Sequence, residues 1–497
     1  MSAVVSLFDG LTGSAPALLH AGGALTGSDV ASLVSRLAGR LQSLGLSRVA
    51  SRLDNGPDWL LLDLALRHLG GVHVPVPTFF SAGQTTHALA SSGAQALVLA
   101  SGSEPPVGAS DAARQPLDAG LVAWRLQSSP VKLPAGTACI TYTSGTTGQA
   151  KGVCLDADTL VSVAGAVVAA TASLQPRRHL CLMPLATLLE NVAGAYAALL
   201  SGAQIALPPL AEIGYTGAAG LDVPTLLACL HRYQPESAIL LPQLLLALVS
   251  AAEQGQALPS SLRFLAVGGG RVGPRLLARA AALGLPVYEG YGLTECASVV
   301  CLNRPGASLP GSVGQPLGHA RVQVRDGELL VEGPRCLSYL GASGPAPGAI
   351  ATGDLGHVDD AGFVHVTGRR KNVFITAYGR NISPEWVESE LAQHPAFAQA
   401  VVFGEARPCN VAVAWPRSPG ITPAAVAAAL RDVNAGLPDY AHVADVVLAE
   451  RPFTAADGLL TANGRPRREA IAQRYADAIA RRYAELDPSS LLQGHPA

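Results

Sequence analysis

The sequence predicts an α/β protein: a large, multi-layer N-terminal domain with mainly parallel sheets covered on both faces, then a smaller α+β domain. Three observations carry this prediction. Between residues 28 and 283, helical periodicities alternate with short apolar runs of strand character. From about residue 311 the pattern changes to short alternating strands punctuated by glycine. Beyond residue 368 it becomes a mixture of helices and strands, and 497 residues are enough for about three structural units.

The elements follow in order. Val30 to Leu44 carries apolar residues at helical spacing and stops at Gly45. Residues 58–69 repeat the helical pattern, VHVPVP (72–77) reads as a strand entering a loop, and AQALVLA (94–100) as a further strand. The same rhythm continues at 136–143, 158–173, 178–183, 191–201, 203–207, 225–233, 236–240, 242–254, 262–267 and 274–283. Such alternation implies strands joined by helical crossovers, and hence a largely parallel sheet. GSVGQPL, RVQVRDGELLVEG and AGFVHVTGRRKNVFIT predict a small barrel-like β unit at about 311–367, with Asp326-Gly327 as a hairpin turn. Helices at 384–393, 423–436 and 467–484, with strands at 399–403, 410–415 and 444–449, make a C-terminal domain of residues 369–486. The boundary falls at Gly368–Lys371, so the N-terminal domain is residues 1–368, and 487–497 is a tail.

Composition removes several classes of function. A chain that is 49% hydrophobic, with mean hydropathy +0.30, has ample apolar surface for a core. With 34 basic against 36 acidic side chains and a net charge of −2, there is no footprint for nucleic acid or an anionic membrane surface. The 8 cysteines form no CxxC pair and read as small buried apolar groups in a reducing compartment. The N-terminus lacks the basic segment of a signal peptide, and the apolar stretches 161–174 and 238–252 fall short of the ~20 residues a membrane span needs. The expectation is a cytoplasmic protein without integral membrane association.

Five motifs can carry chemistry. In TYTSGTTGQAKG (141–152), Thr143, Ser144, Gly145, Thr146, Thr147 and Gly148 precede Lys151. Glycines admit backbone N–H groups to an anion, hydroxyls add donors and lysine adds charge, which together suit a phosphate. The same composition also suits a plain turn. In VYEGYGLTE (287–295), a strand opens onto Glu289, Gly290, Tyr291, Gly292, Thr294 and Glu295. The aromatic ring can stack on a base, and Glu295 is a hard oxygen ligand for Mg²⁺. TGDLG places Asp354 between glycines after a strand, suited either to ribose hydroxyls or to an ordinary turn. TGRRKN puts Arg369 and Lys371 at the domain boundary, ahead of a helix capped near Ser383. Gly268, Gly269 and Gly270 follow the strand LRFLAV and admit a planar ligand, or form only a loop.

In this order and spacing the set resembles the ANL adenylate-forming superfamily, which includes acyl-CoA synthetases, adenylation domains and luciferases. The matching motifs are TYTSGTTGQAKG, GGG, GYGLTE, GSVGQPL, TGDLG, GRRKN and LLTANGRPRR, spanning 141 to 468. MPLATLLENVAGAYAALLSGA (183–203) looks closest to the long-chain fatty acyl-CoA synthetases, although Thr187 and Asn191 stand where that subgroup has His and Arg, with Glu190 retained.

The resemblance implies a ligase that activates a carboxylic acid, here a fatty acid, as acyl-AMP and passes it to coenzyme A. The acid, ATP, Mg²⁺ and coenzyme A are then its small-molecule partners; an acyl carrier protein is the alternative acceptor. By the same resemblance Thr143–Gly148 and Lys151 cradle phosphates, Glu295 holds Mg²⁺ and Thr294 lies by the α-phosphate. Gly268–Gly270 and Glu289–Tyr291, with Gly292, frame adenine. Asp354 takes the ribose hydroxyls assisted by Arg369, Lys371 is the hinge of a mobile C-terminal domain, and the Gly379 turn approaches the pantetheine thiol. The family's adenylation lysine falls on Arg465. Three readings stay open there: a tolerated substitution, impaired adenylation with retained thioester formation, or an adenylate-binding homologue that has left this chemistry.

Overall fold

The computed structural model describes residues 7–8, 11, 13–104, 113–143, 151–216, 220–342, 348–461 and 464–486. Within them, two large sheets form the N-terminal part. The first has the spatial order Gln315–Pro316, Ser298–Leu302, Val287–Leu293, Phe264–Val267, Ser237–Leu240, Arg178–Leu180, Gln204–Ala206, Pro16–His20, Gly23–Thr26. Its interior pairings are parallel and only its two margins are antiparallel. The second sheet runs Ser338–Tyr339, Lys151–Asp156, Thr137–Thr143, Val72–Pro75, Arg48–Ser51, Ala96–Ala100, Leu121–Arg125, Arg114–Pro116, again with a parallel centre.

One buried cluster joins Leu18 and Ile205 of the first sheet to Val49 and Val98 of the second, through Leu37, Leu60, Leu160 and Val192 of helices between them. The two sheets therefore share a helical layer, as the strand–helix alternation predicted. The β unit is a four-stranded antiparallel sheet of Arg321–Arg325, Glu328–Glu332, Ala349–Val358 and Val364–Arg369. Asp326 (φ 50°) and Gly327 (φ 73°) both adopt the left-handed conformation that its first tight hairpin requires. In the C-terminal part, helix Pro384–Gln393 packs on a sheet of Phe397–Phe403, Asn410–Pro416 and Val443–Leu448, with its own core around Val387, Phe397 and Leu430.

Four local expectations need correction. Asp354 is not in a turn after a strand but inside the 10-residue strand Ala349–Val358. Likewise Glu289, Gly290, Tyr291 and Gly292 lie inside the strand Val287–Leu293 rather than in a turn behind it. The helix expected over 467–484 is broken into Arg468–Arg474 and Ala476–Glu485 at Tyr475, whose ring packs edge-on against Phe453 with centroids 6.3 Å apart. The helix expected over 191–201 opens instead as a π-helix, Leu189–Tyr196, before tightening to Ala197–Ser201.

Candidate active site

A cavity of about 2640 Å³ opens between the first sheet, the β unit and the C-terminal domain. Thr143, Lys151, Gly268–Gly270 and the run Glu289–Glu295 line it from the N-terminal side; Asp354, Arg369, Lys371 and Arg465 complete it. Gly379 is not among its lining residues: with φ 73° it sits in the turn between Phe374–Ile375 and Asn381–Ile382, beside Tyr378, which is 64% exposed. Ser144, Gly145, Thr146, Thr147 and Gly148 lie outside the described residues. The flanking residues do not: Thr143 and Lys151 are paired across antiparallel strands, and both line the cavity.

Asp354 is buried at the cavity wall, 3% exposed. Arg369 Nε lies 2.6 Å from Oδ1, and the Tyr291 hydroxyl donates to Oδ2 at 2.6 Å. Burial raises the Asp354 pKa, opposed by the Arg369 guanidinium and the Tyr291 hydrogen bond. Arg369 is the residue directly opposite Asp354 in the antiparallel register, so the ion pair is fixed by the sheet itself. Arg369 keeps 37% of its side chain exposed toward the cavity. A carboxylate with two partners in place is a preorganised acceptor.

Glu295 sits in the single turn Thr294–Cys296 that follows the Glu289–Gly292 strand. Its carbonyl accepts the Cys336 N–H at 2.6 Å, and its Oε1 accepts the Tyr339 hydroxyl at 2.7 Å. Lys151 Nζ stands 5.7 Å from the centre of the same Tyr339 ring. Tyr339 belongs to a two-residue strand paired with Val153, on the strand that Lys151 begins. Lys151, Tyr339 and Glu295 are thus joined in one chain of contacts. No motif in the sequence pointed to Tyr339. Among the described residues Glu295 Oε2 accepts no hydrogen bond, which suits a hard cation.

The glycines divide. Gly269 has φ 75°, and a side chain on Gly270 would reach only Pro242, at 3.4 Å, so this loop keeps its backbone open to the cavity. Gly292 is different: a Cβ there would collide with the Ser298 carbonyl, so the crossing of the paired strand requires it. Glu289, 8% exposed, accepts the Gly311 N–H at 2.9 Å; burial pushes its pKa up to about 7.

Arg465 reaches in from the C-terminal domain, with Nη2 3.4 Å from the Gly269 carbonyl oxygen. Solvent reaches its side chain through the open cavity, yet protein crowds it; that burial, then Arg369, lowers its pKa, opposed by Asp354, Glu385 and Glu295. Lys371 lines the same cavity, its pKa lowered by burial and then by Arg369 and Arg465. The boundary residue therefore also adds charge to the cleft.

The cavity continues along the face of the π-helix carrying Leu189, Ala193 and Gly194, and past Val167 and Val168. Glu190 is fully buried on this helix, with Oε1 2.8 Å from His179 Nε2 and Oε2 accepting the Met183 N–H at 2.9 Å. Cys181 lies close by, its thiol held protonated by burial and by Glu190. Both carboxylate oxygens are engaged, so the group reads as a polar brace between strand and helix. A second buried chain, Ser51–His73–Asp63, has spacings of 2.7 and 2.6 Å like a hydrolytic triad. Ser51 and His73 are 0% exposed, and Tyr196 and Arg67 close on Asp63, so this too is a brace.

No helix among the described residues is long and apolar enough to cross a membrane. The family model described as AMP-binding enzyme matches residues 10–337, and that described as AMP-binding enzyme C-terminal domain matches 371–487. A long-chain-fatty-acid–CoA ligase, FadD15, of Mycobacterium bovis is 30% identical over 431 residues, covering 71% of this chain and 70% of the relative. A feruloyl-CoA synthase of Amycolatopsis sp is 30% identical over 422 residues, covering 78% and 82%. Among solved structures, the anthranilate CoA ligase AuaEII in complex with anthranoyl-AMP superposes with TM-score 0.80 at 20% identity, over 97% of this chain and 98% of that one. The o-succinylbenzoate coenzyme A synthetase of Bacillus subtilis with ATP and magnesium gives 0.72 at 24% identity, over 94% and 98%. Motif order, fold and sequence agree: the chain belongs to the AMP-binding enzyme family.

Proposed function

We propose that this protein is an ATP-dependent acid–thiol ligase that activates a fatty acid as acyl-AMP and transfers the acyl group to coenzyme A. The observation that carries the reading is the convergence of the Asp354–Arg369–Tyr291 cluster, Glu295 and Arg465 on one cavity. In the first half-reaction, a carboxylate oxygen attacks the α-phosphorus and pyrophosphate leaves. That step needs in-line positioning and charge neutralisation more than covalent help from the protein. Asp354 accepts the ribose hydroxyls, Gly268–Gly270 and Tyr291 bound the base, and Thr143 and Lys151 carry the phosphate loop. Glu295 suits Mg²⁺, which would neutralise phosphate charge. Arg465 stabilises the charge developing between carboxylate and phosphate.

In the second half-reaction, the thiolate attacks the acyl carbonyl and AMP leaves with the bonding electron pair. Gly379 lies away from the cavity here, so the C-terminal domain must turn for its loop to approach the thiol; Lys371 is the proposed pivot. The apolar walls at Val167, Val168, Leu189 and Ala193 support an alkyl acid, and no aspartate stands at 185–190 to pair with an ammonium. The test is pyrophosphate release across a series of alkyl and aryl acids, with and without coenzyme A. Release with fatty acids and acyl-CoA as product is expected. Absence of release with every acid in the series would refute the reading.

A further inference from the structure

Arg271 directly follows the Gly268–Gly270 loop and leaves the nucleotide side of the cavity for the C-terminal domain. Its carbonyl accepts the Ser389 hydroxyl at 3.3 Å. Its guanidinium carbon stands 5.9 Å from the centre of the Trp386 ring, and its Nη1 lies 3.4 Å from the carbonyl oxygens of Val366 and Thr367. Glu385 and Glu390, on the same helix as Trp386 and Ser389, and Glu289 beneath the glycine loop all act on its charge. Nearby, Gly273 lies so close to this helix that a Cβ would sit 2.5 Å from the Gln393 amide and 2.7 Å from Glu390 Oε1. Its backbone is ordinary (φ −75°), so proximity rather than conformation excludes a side chain.

We infer that Arg271 is the latch that seats helix Pro384–Gln393 against the nucleotide loop, and so holds Arg465 at the cleft for acyl-AMP formation. The inference rests on the two-step ligase reading above. Arg271 is a positioning residue: it acts through Arg465 and through the glycine loop. Arg271 joins three bodies: its backbone continues the loop behind Gly270 and accepts from Ser389 of the C-terminal helix, while its side chain reaches the strand leading to Lys371 and the Trp386 ring. A turn of the domain about Lys371 keeps the strand contacts and breaks those to Trp386, Ser389 and the two helix glutamates. The latch therefore favours the first half-reaction and has no part in the second.

The test compares full-length wild type with Arg271→Ala, Arg271→Lys and Gly273→Val. Pyrophosphate release from ATP and fatty acid reports the first step, and thioester formation from synthetic acyl-AMP and coenzyme A reports the second. Arg271→Ala should slow the first about 10-fold and leave the second unchanged or faster. Arg271→Lys keeps the charge and loses the planar stacking, so it should fall between. Gly273→Val, a wedge in the same seam, should reproduce the split. Amide hydrogen exchange without any acid gives a second readout: Arg271→Ala should deprotect 384–393 while the strands 397–416 stay protected. Equal slowing of both steps, or unchanged exchange in 384–393, would overturn the latch. Wild-type protein that releases no pyrophosphate with any acid defeats the ligase reading instead, and the exchange experiment then decides the latch by itself.

Discussion

The Tyr339 hydroxyl donates to Glu295 Oε1 across 2.7 Å, from a strand that pairs with the one beginning at Lys151. The carboxylate proposed for Mg²⁺ is therefore aimed by a residue from the phosphate side of the cavity. Glu295→Gln is expected to raise the Mg²⁺ concentration for half-maximal pyrophosphate release by about 10-fold or more, because a neutral amide is a poorer ligand. Tyr339→Phe should move the same titration in the same direction by a smaller factor, since it frees the ligand without removing it. A Mg²⁺ titration of both variants checks this. Wild-type behaviour of Glu295→Gln would remove the metal assignment.

Asp354→Ala is expected to raise the KM for ATP roughly 10- to 150-fold, the range of a buried charged hydrogen-bonding group worth ~1.5–3 kcal/mol. It also strands Arg369 and the Tyr291 hydroxyl, so the melting temperature should fall. Tyr291→Phe removes only one donor and should affect KM less. Initial rates against ATP concentration, together with thermal melts, separate the two effects.

Arg465→Ala should reduce acyl-AMP formation by on the order of 10²–10³ while sparing thioester formation from synthetic acyl-AMP. Arg465→Lys should equal or exceed wild type, because a compact ammonium fits between carboxylate and α-phosphate. Adenylation at the wild-type rate in Arg465→Ala would place the residue outside the chemistry. Activity that appears only in Arg465→Lys would make the natural chain an adenylate-binder.

Glu289 gives a pH dependence of defined sign. Its folded pKa of about 7 lies above the ordinary 4.5, so the folded state binds the extra proton between these values. The stability this proton supplies is complete below about pH 4.5 and is lost as pH rises through about 7. At 1.36 kcal/mol per pH unit the whole effect is on the order of 3 kcal/mol. Glu289→Gln should flatten this part of the profile and be the more stable protein at pH 8, as urea unfolding across pH would record.

Gly194→Ala tests the π-helix brace. A Cβ there would collide with Glu190 Oε1 and fall 2.6 Å from His179 Nε2. Overpacking of this kind costs about 1–3 kcal/mol, and it should also alter the acid preference because Gly194 lines the cavity. Urea midpoints and a chain-length series measure the two consequences.

What the sequence made legible were the features written in local pattern. Helix Pro384–Gln393 matches its predicted span, and the Asp326-Gly327 turn its hairpin, because proline, left-handed residues and periodicity act over a few positions. Most of the described motif residues line one cavity. What was hidden depends on contacts between distant segments. Tyr339 and Arg271 sit in no motif, and their partners Glu295 and Trp386 come from separate elements. Gly292 looked like a ligand-approach glycine, but strand crossing explains it. Glu190 stands in a recognisable segment, but no local pattern points to His179 as its partner.

On the proposed ligase reading, the direct register of Asp354 against Arg369 bears on the order in which products would depart. The ladder ends at Arg369, whereas the proposed pivot is Lys371, just beyond it. A swing that begins at Lys371 leaves the ribose clamp standing on the stationary side. Under that reading the nucleotide would be retained while the second reactant arrives, which makes AMP the expected last product out. The expected kinetic signature is inhibition by AMP that is competitive with ATP, with turnover ending on the opening of that clamp rather than on the acyl transfer it outlasts.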